Sequence, residues 1–510
     1  MTTSVTHLWR LLKWGRTLAR HGALQGIERD PLTPPAVRRL LRVARFGLSQ
    51  PAAPDYAAAL QAIGPAAIKL GQALATRPDL VGEAAAKNLI QLQDSLPPAP
   101  FAEIRKAIER GLEAPIESLF QSIDEEPVGA ASIAQVHKAV TTEGRIVAVK
   151  VLRPGIEEEF ARALETYEWA AAHVELLGGE AERLRPRLVV AHFKQWTRRE
   201  LDLQREAASA SELRETMVAE PNFHVPEIDW SRSARRVMTL EWIDGIKLTR
   251  RDDLIAAGHD LPALAATLIR AFLRQAIVDG FFHADLHQGN LFALPDGRLA
   301  AIDFGIMGRI DRRARMWLAE ILYGLITGNY QRVAEIHFEA QYVPSHHNVA
   351  EFATALRAVG EPIRGLPVKQ ISVGRMLESL FSITRDFDMQ TQPHLLLLQK
   401  TMVMEEGVAT ALDPDINMWE AAEPFLREWM RSELGPEAKA ADTLVDLVHT
   451  AKLIPDLIKR INASYPPAGA APPPPPIAHV AVITRPPLLA YSLVALVAAA
   501  VGAGAILLIR

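Results

Sequence analysis

The amino-acid sequence predicts an α+β fold of two lobes, a β-rich one followed by a helical one, with helices added before and within the first and a membrane-crossing helix at the C-terminus. Three observations carry this expectation. Strand-like, β-branched runs crowd into residues 116–152, whereas residues 35–110 and 156–217 on either side read as helical. Residues 283–305, HADLHQGNLFALPDGRLAAIDFG, set two short apolar runs around the hairpin signal Pro295-Asp296-Gly297. Residues 488–509 are 22 uncharged positions between Arg485 and Arg510, against the ~20 that a helix needs to cross hydrocarbon.

At 510 residues, 49% hydrophobic and 23% charged, the chain has material for two or three packed domains. The absence of cysteine excludes disulfides, thiolate catalysis and Cys-ligated zinc. The net charge of -4 is unevenly spread: residues 1–50 hold nine Lys/Arg against Glu28 and Asp30, which points to an anionic neighbour. No signal peptide is read at the start, since charges break up the first twenty residues. There Leu8, Trp9, Leu11, Leu12, Trp14 and Leu18 alternate with Arg10, Lys13, Arg16 and Arg20, a pattern that fits either a helix in an anionic lipid interface or one docked on the protein's own core.

Taken in order, the divisions are a helical N-terminal extension (1–115), a β-rich lobe with a helical insertion (116–250), a helical lobe (251–463), a Pro-rich linker (464–487) and a transmembrane anchor (488–510). Prolines at 51, 54, 78, 97 and 98 interrupt the extension, in which Lys69, Gly71, Gln72 and Arg77 punctuate apolar sequence. In the β-rich lobe, residues 127–137 (PVGAASIAQVH) lead through a turn at 141–144 into the strand 145–152, which carries Lys150. The helical insertion ends on RELDLQREA, with Glu200, Asp202 and Glu206. A strand and turn at 235–245 follow, then an apolar helix at 264–279, the 283–305 segment, a helix from Arg312, and more helices over 330–460. The linker contains Pro466, Pro467 and the run 472–476.

The spacings within 283–305 are those of phosphoryl transfer. Asp285 stands where a catalytic loop places the carboxylate that orients an acceptor. Asn290, five residues on, and Asp303, in Asp-Phe-Gly, supply the oxygen ligands that Mg²⁺ prefers. Upstream, Lys150 would neutralise the α- and β-phosphates of ATP beneath a covering turn, Val128, Gly129, Ala130, Ala131, Ser132, Ile133, Ala134, Gln135 and Val136. Glu206 would hold the Lys150 ammonium, and the backbone near Glu241 would meet the adenine edge. The turn has one glycine where protein kinases use three; Ala130, Ala131 and Ser132 are expected to keep backbone N–H groups for phosphate. Helix resumes soon after Gly305, with no Ala-Pro-Glu and little room for a mobile activation loop.

Taken together, Lys69-Leu-Gly71-Gln72, the run Ala131 to His137, Glu200-Leu-Asp202 with Glu206-Ala207, His283-Ala-Asp285 and Asp303-Phe-Gly305 resemble the UbiB/AarF family of atypical kinase-like proteins, in order across roughly residues 60–310. The resemblance implies a protein-kinase-like fold, ATP and Mg²⁺ as cofactors, ATPase or small-molecule kinase activity, and a place in ubiquinone biosynthesis at the inner (cytoplasmic) membrane. It implies that Lys69, Gly71 and Gln72 belong to an extension folded over the site, partnered by Glu200 and Asp202. Leu286 and Gln288 depart from the family's His-Ala-Asp-Pro-His-Pro-Gly-Asn, and Ser209 replaces its asparagine after Glu-Ala. Expected partners are anionic lipid and quinone-biosynthesis enzymes or a polyprenyl precursor, with no nucleic acid. Two alternatives stand beside this: a protein kinase, and a non-catalytic ATP-gated scaffold for membrane enzymes.

Overall fold

The structure is a computed structural model that describes residues 4–26, 35–49, 53–75, 96–175, 185–361 and 393–434, with positions 51, 85, 88, 89, 92, 383 and 386–389 between them. The linker and the anchor expected over 464–510, and Arg77 in the extension, lie outside the described residues. The chain forms two compact units: residues 4–207 with 228–242, and residues 208–227 with 243–434 among those described. The N-terminal extension and the β-rich lobe therefore share one unit. Residues 208–227 leave the insertion for the other unit, where Phe223–His224 finds a strand partner.

The first unit is built on an antiparallel sheet. Strands β1 (Phe120–Ile123), β3 (Ala134–Thr141), β4 (Ile146–Leu152) and β6 (Val237–Glu241) lie in that order, and β2 (Gly129–Ala130) pairs with the start of β3. In β4 the alternation is visible in the sequence: Val147, Val149 and Val151 are buried against Ile104 and Ile108 of helix α5 (Phe101–Leu112), which leaves Lys150 on the opposite face.

Helices α1 (Ser4–Arg20), α2 (Pro35–Arg45), α3 (Tyr56–Ile63) and α4 (Pro65–Ala75) make the extension, and α6 (Ile156–Glu175) and α7 (Pro186–Glu200) the insertion. The two readings left open for the first helix resolve partly. One face of α1 docks on α6, with His7 Nδ1 3.1 Å from Thr166 Oγ1 and Trp14 packed on Tyr167. A second stripe, Val5, Trp9 and Leu12, stays exposed beside Lys13, Arg16 and Arg20. Helix α8 (Leu203–Thr216) begins in this unit and passes into the other after Ala207.

The second unit is mainly helical. At its centre is α9 (Leu261–Leu273), which starts on Asp260, whose side chain accepts from Ala263 N–H, and ends in a π-helical turn over Arg274–Asp279. The stretch Leu261–Asp279 is the one helix among the described residues long and apolar enough to cross a membrane; its apolar window is 67% buried within the protein, as a core helix would be. Around it are α10 (Arg312–Thr327), α11 (Tyr330–Glu339), α12 (Val349–Gly360), α13 (Pro393–Leu412) and α14 (Met418–Leu434). A small sheet runs β5 (Phe223–His224), β10 (Leu299–Ala301), β9 (Leu291–Ala293), β7 (Ile246–Lys247), and β8 (Phe281–His283) pairs with β11 (Met307–Arg309). The β9–β10 hairpin closes where Pro295-Asp296-Gly297 predicts, with Leu294 N–H donating to Arg298 O at 2.8 Å and Gly297 at φ 85°.

Candidate active site

In the first unit, Lys150 Nζ donates to Glu206 Oε1 at 2.6 Å, both side chains largely buried. The strand fixes one end of this pair and the first turn of α8 the other. Above them the β2–β3 hairpin is tighter than its sequence implies. Val128 N–H donates to Val136 O, and Ala131 N–H to Ala134 O, each at 2.8 Å. The Ala131 amide expected to be open to phosphate is thus engaged in closing the turn; a hairpin this short leaves its donors facing its own carbonyls. Gly129 has open space where a Cβ would stand.

Gln135, expected to touch nucleotide, is fully buried instead. Its Oε1 accepts from Ala99 N–H at 2.9 Å, and its Nε2 lies 2.8 Å from His137 Nε2. His137 Nδ1–H donates to the Asp124 carbonyl at 2.7 Å, which leaves Nε2 to accept from Gln135. The ring is therefore neutral, and burial lowers its pKa in agreement. Arg153, which sequence reading did not single out, donates from Nε to Ala131 O and from its two Nη groups to Pro97 O and Leu96 O, tying the hairpin tip to the 96–97 segment.

Lys69 on α4 meets Glu200 on α7 at 3.0 Å, both side chains largely shielded from solvent, in a small cavity whose wall includes Ile133 of the covering turn. The partnership implied by resemblance is present for Glu200. Asp202 faces Arg205 at 3.6 Å, and Gln72 is part-buried one turn from Lys69. Gly71 is a packing glycine: a Cβ there would stand 2.5 Å from Leu60 Cδ1 and from Leu92 Cδ1.

In the second unit His283 organises the loop. It is fully buried, its own N–H donates to Gln275 Oε1, and its Nδ1 accepts from Asp285 N–H at 3.1 Å. Its Nε2 therefore carries the proton and donates to Asp303 O at 2.5 Å. Burial lowers its pKa, which favours this neutral tautomer. One ring thus joins the backbone of both predicted carboxylates. Asn290 Nδ2 donates to Asp285 O at 3.2 Å, which leaves Oδ1 as the atom for a cation. Asp303 has φ 69°, a left-handed conformation unusual outside glycine, and its Oδ1 accepts from Gly305 N–H at 3.2 Å. Leu286, in place of the family's proline, is fully buried, and His287 Nδ1 accepts from Gly289 N–H, so packing and a cap hold this loop.

After Gly305 the chain enters β11 at Met307, opposite His283, and Asp311 caps α10 through Ala314 N–H at 2.9 Å. This confirms the short connection. Glu241 closes β6 opposite Val147, and the first unit ends at Trp242. One residue near the loop was missed: Lys400 of α13, whose Nζ lies 3.5 Å from Asp285 Oδ1.

The profile of the ABC1 atypical kinase-like domain matches residues 91–337, which include Lys150, Glu206, Asp285, Asn290 and Asp303. That of the UbiB helical domain matches residues 356–417. A protein of Marinobacter nauticus described as a probable protein kinase UbiB is 41% identical over 382 residues, covering 74% of this chain and 70% of that protein. This chain belongs to the UbiB family. The Mycobacterium tuberculosis protein Rv3197, solved in complex with erythromycin, is also similar to this UbiB-family chain, with TM-score 0.50 and 25% identity over 71% of this chain and 91% of its own. Lys69 lies before the kinase-like match, and Lys400 falls in the UbiB helical domain.

Proposed function

We propose that this chain is a Mg²⁺-ATP-dependent small-molecule kinase or ATPase of the UbiB family that serves ubiquinone biosynthesis at the cytoplasmic face of the inner membrane. The observation that carries the reading is His283, whose two ring nitrogens hold the Asp285 N–H and the Asp303 carbonyl. A buried ring in one tautomer sets the spacing of the acceptor carboxylate and the metal carboxylate before substrate arrives. The quinone assignment rests on family resemblance, because a fold does not fix its pathway.

The donors suit a hard cation: with Nδ2 engaged on Asp285 O, Asn290 would offer Oδ1, and Asp303 would supply carboxylate oxygen. These two residues would hold Mg²⁺, which neutralises phosphate charge when bound. Lys150, kept in place by Glu206, would bind the α- and β-phosphates. The β2–β3 hairpin, stapled by Arg153, would cover them, and backbone near Glu241 would meet the adenine. Asp285 would orient an acceptor hydroxyl or water and take its proton. Residues 306–310 offer little platform for a peptide, which favours a small acceptor over a protein. Membrane attachment is proposed through the apolar segment 488–510, assisted by the exposed Val5, Trp9 and Leu12 stripe with its flanking bases.

The test is phosphate release by the purified chain with Mg²⁺-ATP, with and without anionic vesicles, beside Asp303→Asn and Asp285→Asn. Wild type should turn over and each variant should lose ~100-fold or more in kcat. Asparagine tolerates the left-handed backbone at 303, so Asp303→Asn changes the ligand while keeping the turn. Nucleotide binding without turnover in the wild type would favour the ATP-gated scaffold.

A further inference from the structure

Lys400 is a charged residue on a helix that reads Leu395-Leu-Leu-Leu-Gln-Lys-Thr, and its ammonium is aimed at the acceptor carboxylate, Asp285, at 3.5 Å. Packing fixes this placement. Leu398, two residues earlier, is buried in one cluster with Ala284, Phe282, Phe272 and Ile310, so α13 is seated against the residue that precedes Asp285. Thr401 is fully buried on the other side of Lys400, with its hydroxyl donating to Leu397 O at 2.9 Å. Stability gives little reason for the pair. The two side chains are 35% and 30% exposed, and pairs in such settings contribute little once solvent screening and side-chain entropy are counted.

Chemistry gives a better one. The loop His283 to Asn290 contains no Lys or Arg, so positive charge beside its carboxylate has to come from another element. An acceptor oxygen hydrogen-bonded to Asp285 would stand ~2.7 Å from the carboxylate and ~3–3.5 Å from the phosphorus it attacks. An ammonium next to the same carboxylate is then within reach of the equatorial oxygens of that phosphoryl group. Lysine, a compact charge with three donors, suits a group that moves between two positions.

We propose that Lys400 is a catalytic residue of phosphoryl transfer, its ammonium contacting the phosphoryl group as it passes to the acceptor held by Asp285. This rests on the phosphotransfer reading above. The bond from the γ-phosphorus to the β,γ-bridging oxygen breaks, and its electron pair leaves on ADP. A lone pair of the acceptor oxygen forms the new P–O bond, and the acceptor proton passes to the Asp285 carboxylate and then to solvent. Lys400 keeps its proton throughout and supplies charge only. The UbiB helical domain thereby contributes a residue to the chemistry of the kinase-like domain.

The experiment uses the full chain in detergent with Mg²⁺, comparing wild type with Lys400→Ala, Lys400→Arg and the neighbouring Gln399→Ala. It reads kcat and KM for ATP, affinity for a non-hydrolysable ATP analogue, affinity for ADP–aluminium fluoride as a mimic of the phosphoryl in transit, and the melting temperature. Lys400→Ala should lower kcat ~100-fold and weaken ADP–aluminium fluoride by a similar factor. KM, analogue affinity and melting temperature should stay near wild type, Lys400→Arg should recover part of kcat, and Gln399→Ala should behave as wild type. The inference is overturned if Lys400→Ala keeps at least half of wild-type kcat. It is equally overturned if the analogue affinity and melting temperature fall together with kcat, which marks a structural role. A wild type that neither turns over ATP nor holds ADP–aluminium fluoride removes the phosphotransfer reading and this inference with it; an active wild type with an unaffected Lys400→Ala removes this inference alone.

Discussion

Glu405 is a carboxyl group placed where none should be comfortable. It is fully buried on α13, and neither of its oxygens has a hydrogen-bond partner among the described residues. Its cavity is walled by Phe272, Leu273, Leu322, Met402 and Leu426, and this burial raises its pKa well above the ordinary 4.5. The folded protein therefore binds this proton more tightly than the unfolded chain does. The associated stability is fully present below about pH 4.5 and is lost as pH rises through the folded-state value. Glu406, Glu159 and Asp279, also raised by burial, act in the same direction, so the difference between wild type and a variant is the useful quantity. Glu405→Met should flatten the decline in stability between pH 5 and pH 8. It should also add about 1–3 kcal/mol at the upper end, the usual penalty for a buried polar group left unpaired. Urea unfolding at the two pH values measures this, and parallel pH profiles for the two proteins would refute it.

Two glycines, Gly71 in α4 and Gly129 in β2, separate packing from ligand at the level of the element. A methyl group at Gly71 would collide with Leu60 and Leu92, so Gly71→Ala should destabilise the first unit by about 1–3 kcal/mol, seen as a lower unfolding midpoint. At Gly129 a methyl group meets nothing in the protein, so Gly129→Ala should leave the midpoint unchanged or slightly higher. If nucleotide occupies that open side, KM for ATP should nevertheless rise several-fold; an unchanged KM would remove Gly129 from the site. The same elements show what was legible in the sequence. Lys150 on its strand, the β9–β10 hairpin and the 283–305 loop are local patterns, and periodicity with turn chemistry was enough to read them. The Lys69–Glu200 pair was available only through family resemblance, because spacing along one helix says nothing of a partner on another. Arg153, the burial of Gln135, the turn of Asp303 and the approach of Lys400 to Asp285 arise when distant segments pack, so no local signal announced them. The division of the chain within α8 is of the same kind, set by Phe223–His224 pairing with β10.

For the molecule as a whole, charge is distributed against the net value. A chain of net charge -4 concentrates nine basic residues in its first fifty, and on α1 they flank Val5, Trp9 and Leu12, of which Trp9 is 64% exposed. Neighbouring Phe46, near Arg16 through its carbonyl, is 82% exposed. Docking of the opposite face of α1 on α6, with Leu18 and Ala19 packed against Leu41 of α2 and Ala59 of α3, accounts for its buried residues and leaves this stripe exposed. Basic residues near an anionic bilayer are worth ~1 kcal/mol each, and the attraction weakens as the Debye length shrinks from ~10 Å at 0.1 M salt to ~3 Å at 1 M. The chain lacking residues 464–510 should therefore co-sediment with vesicles rich in anionic lipid, bind neutral vesicles at least ~10-fold more weakly, and be released by ~0.5 M salt. Trp9→Ala combined with Leu12→Ala should weaken the anionic binding further, because both the charge and the inserted apolar area contribute. If residues 488–510 form the anchor proposed above, the full chain should stay membrane-bound at high salt. Salt-insensitive binding of the shortened chain, or equal affinity for neutral vesicles, would mean that the basic first helix has another partner.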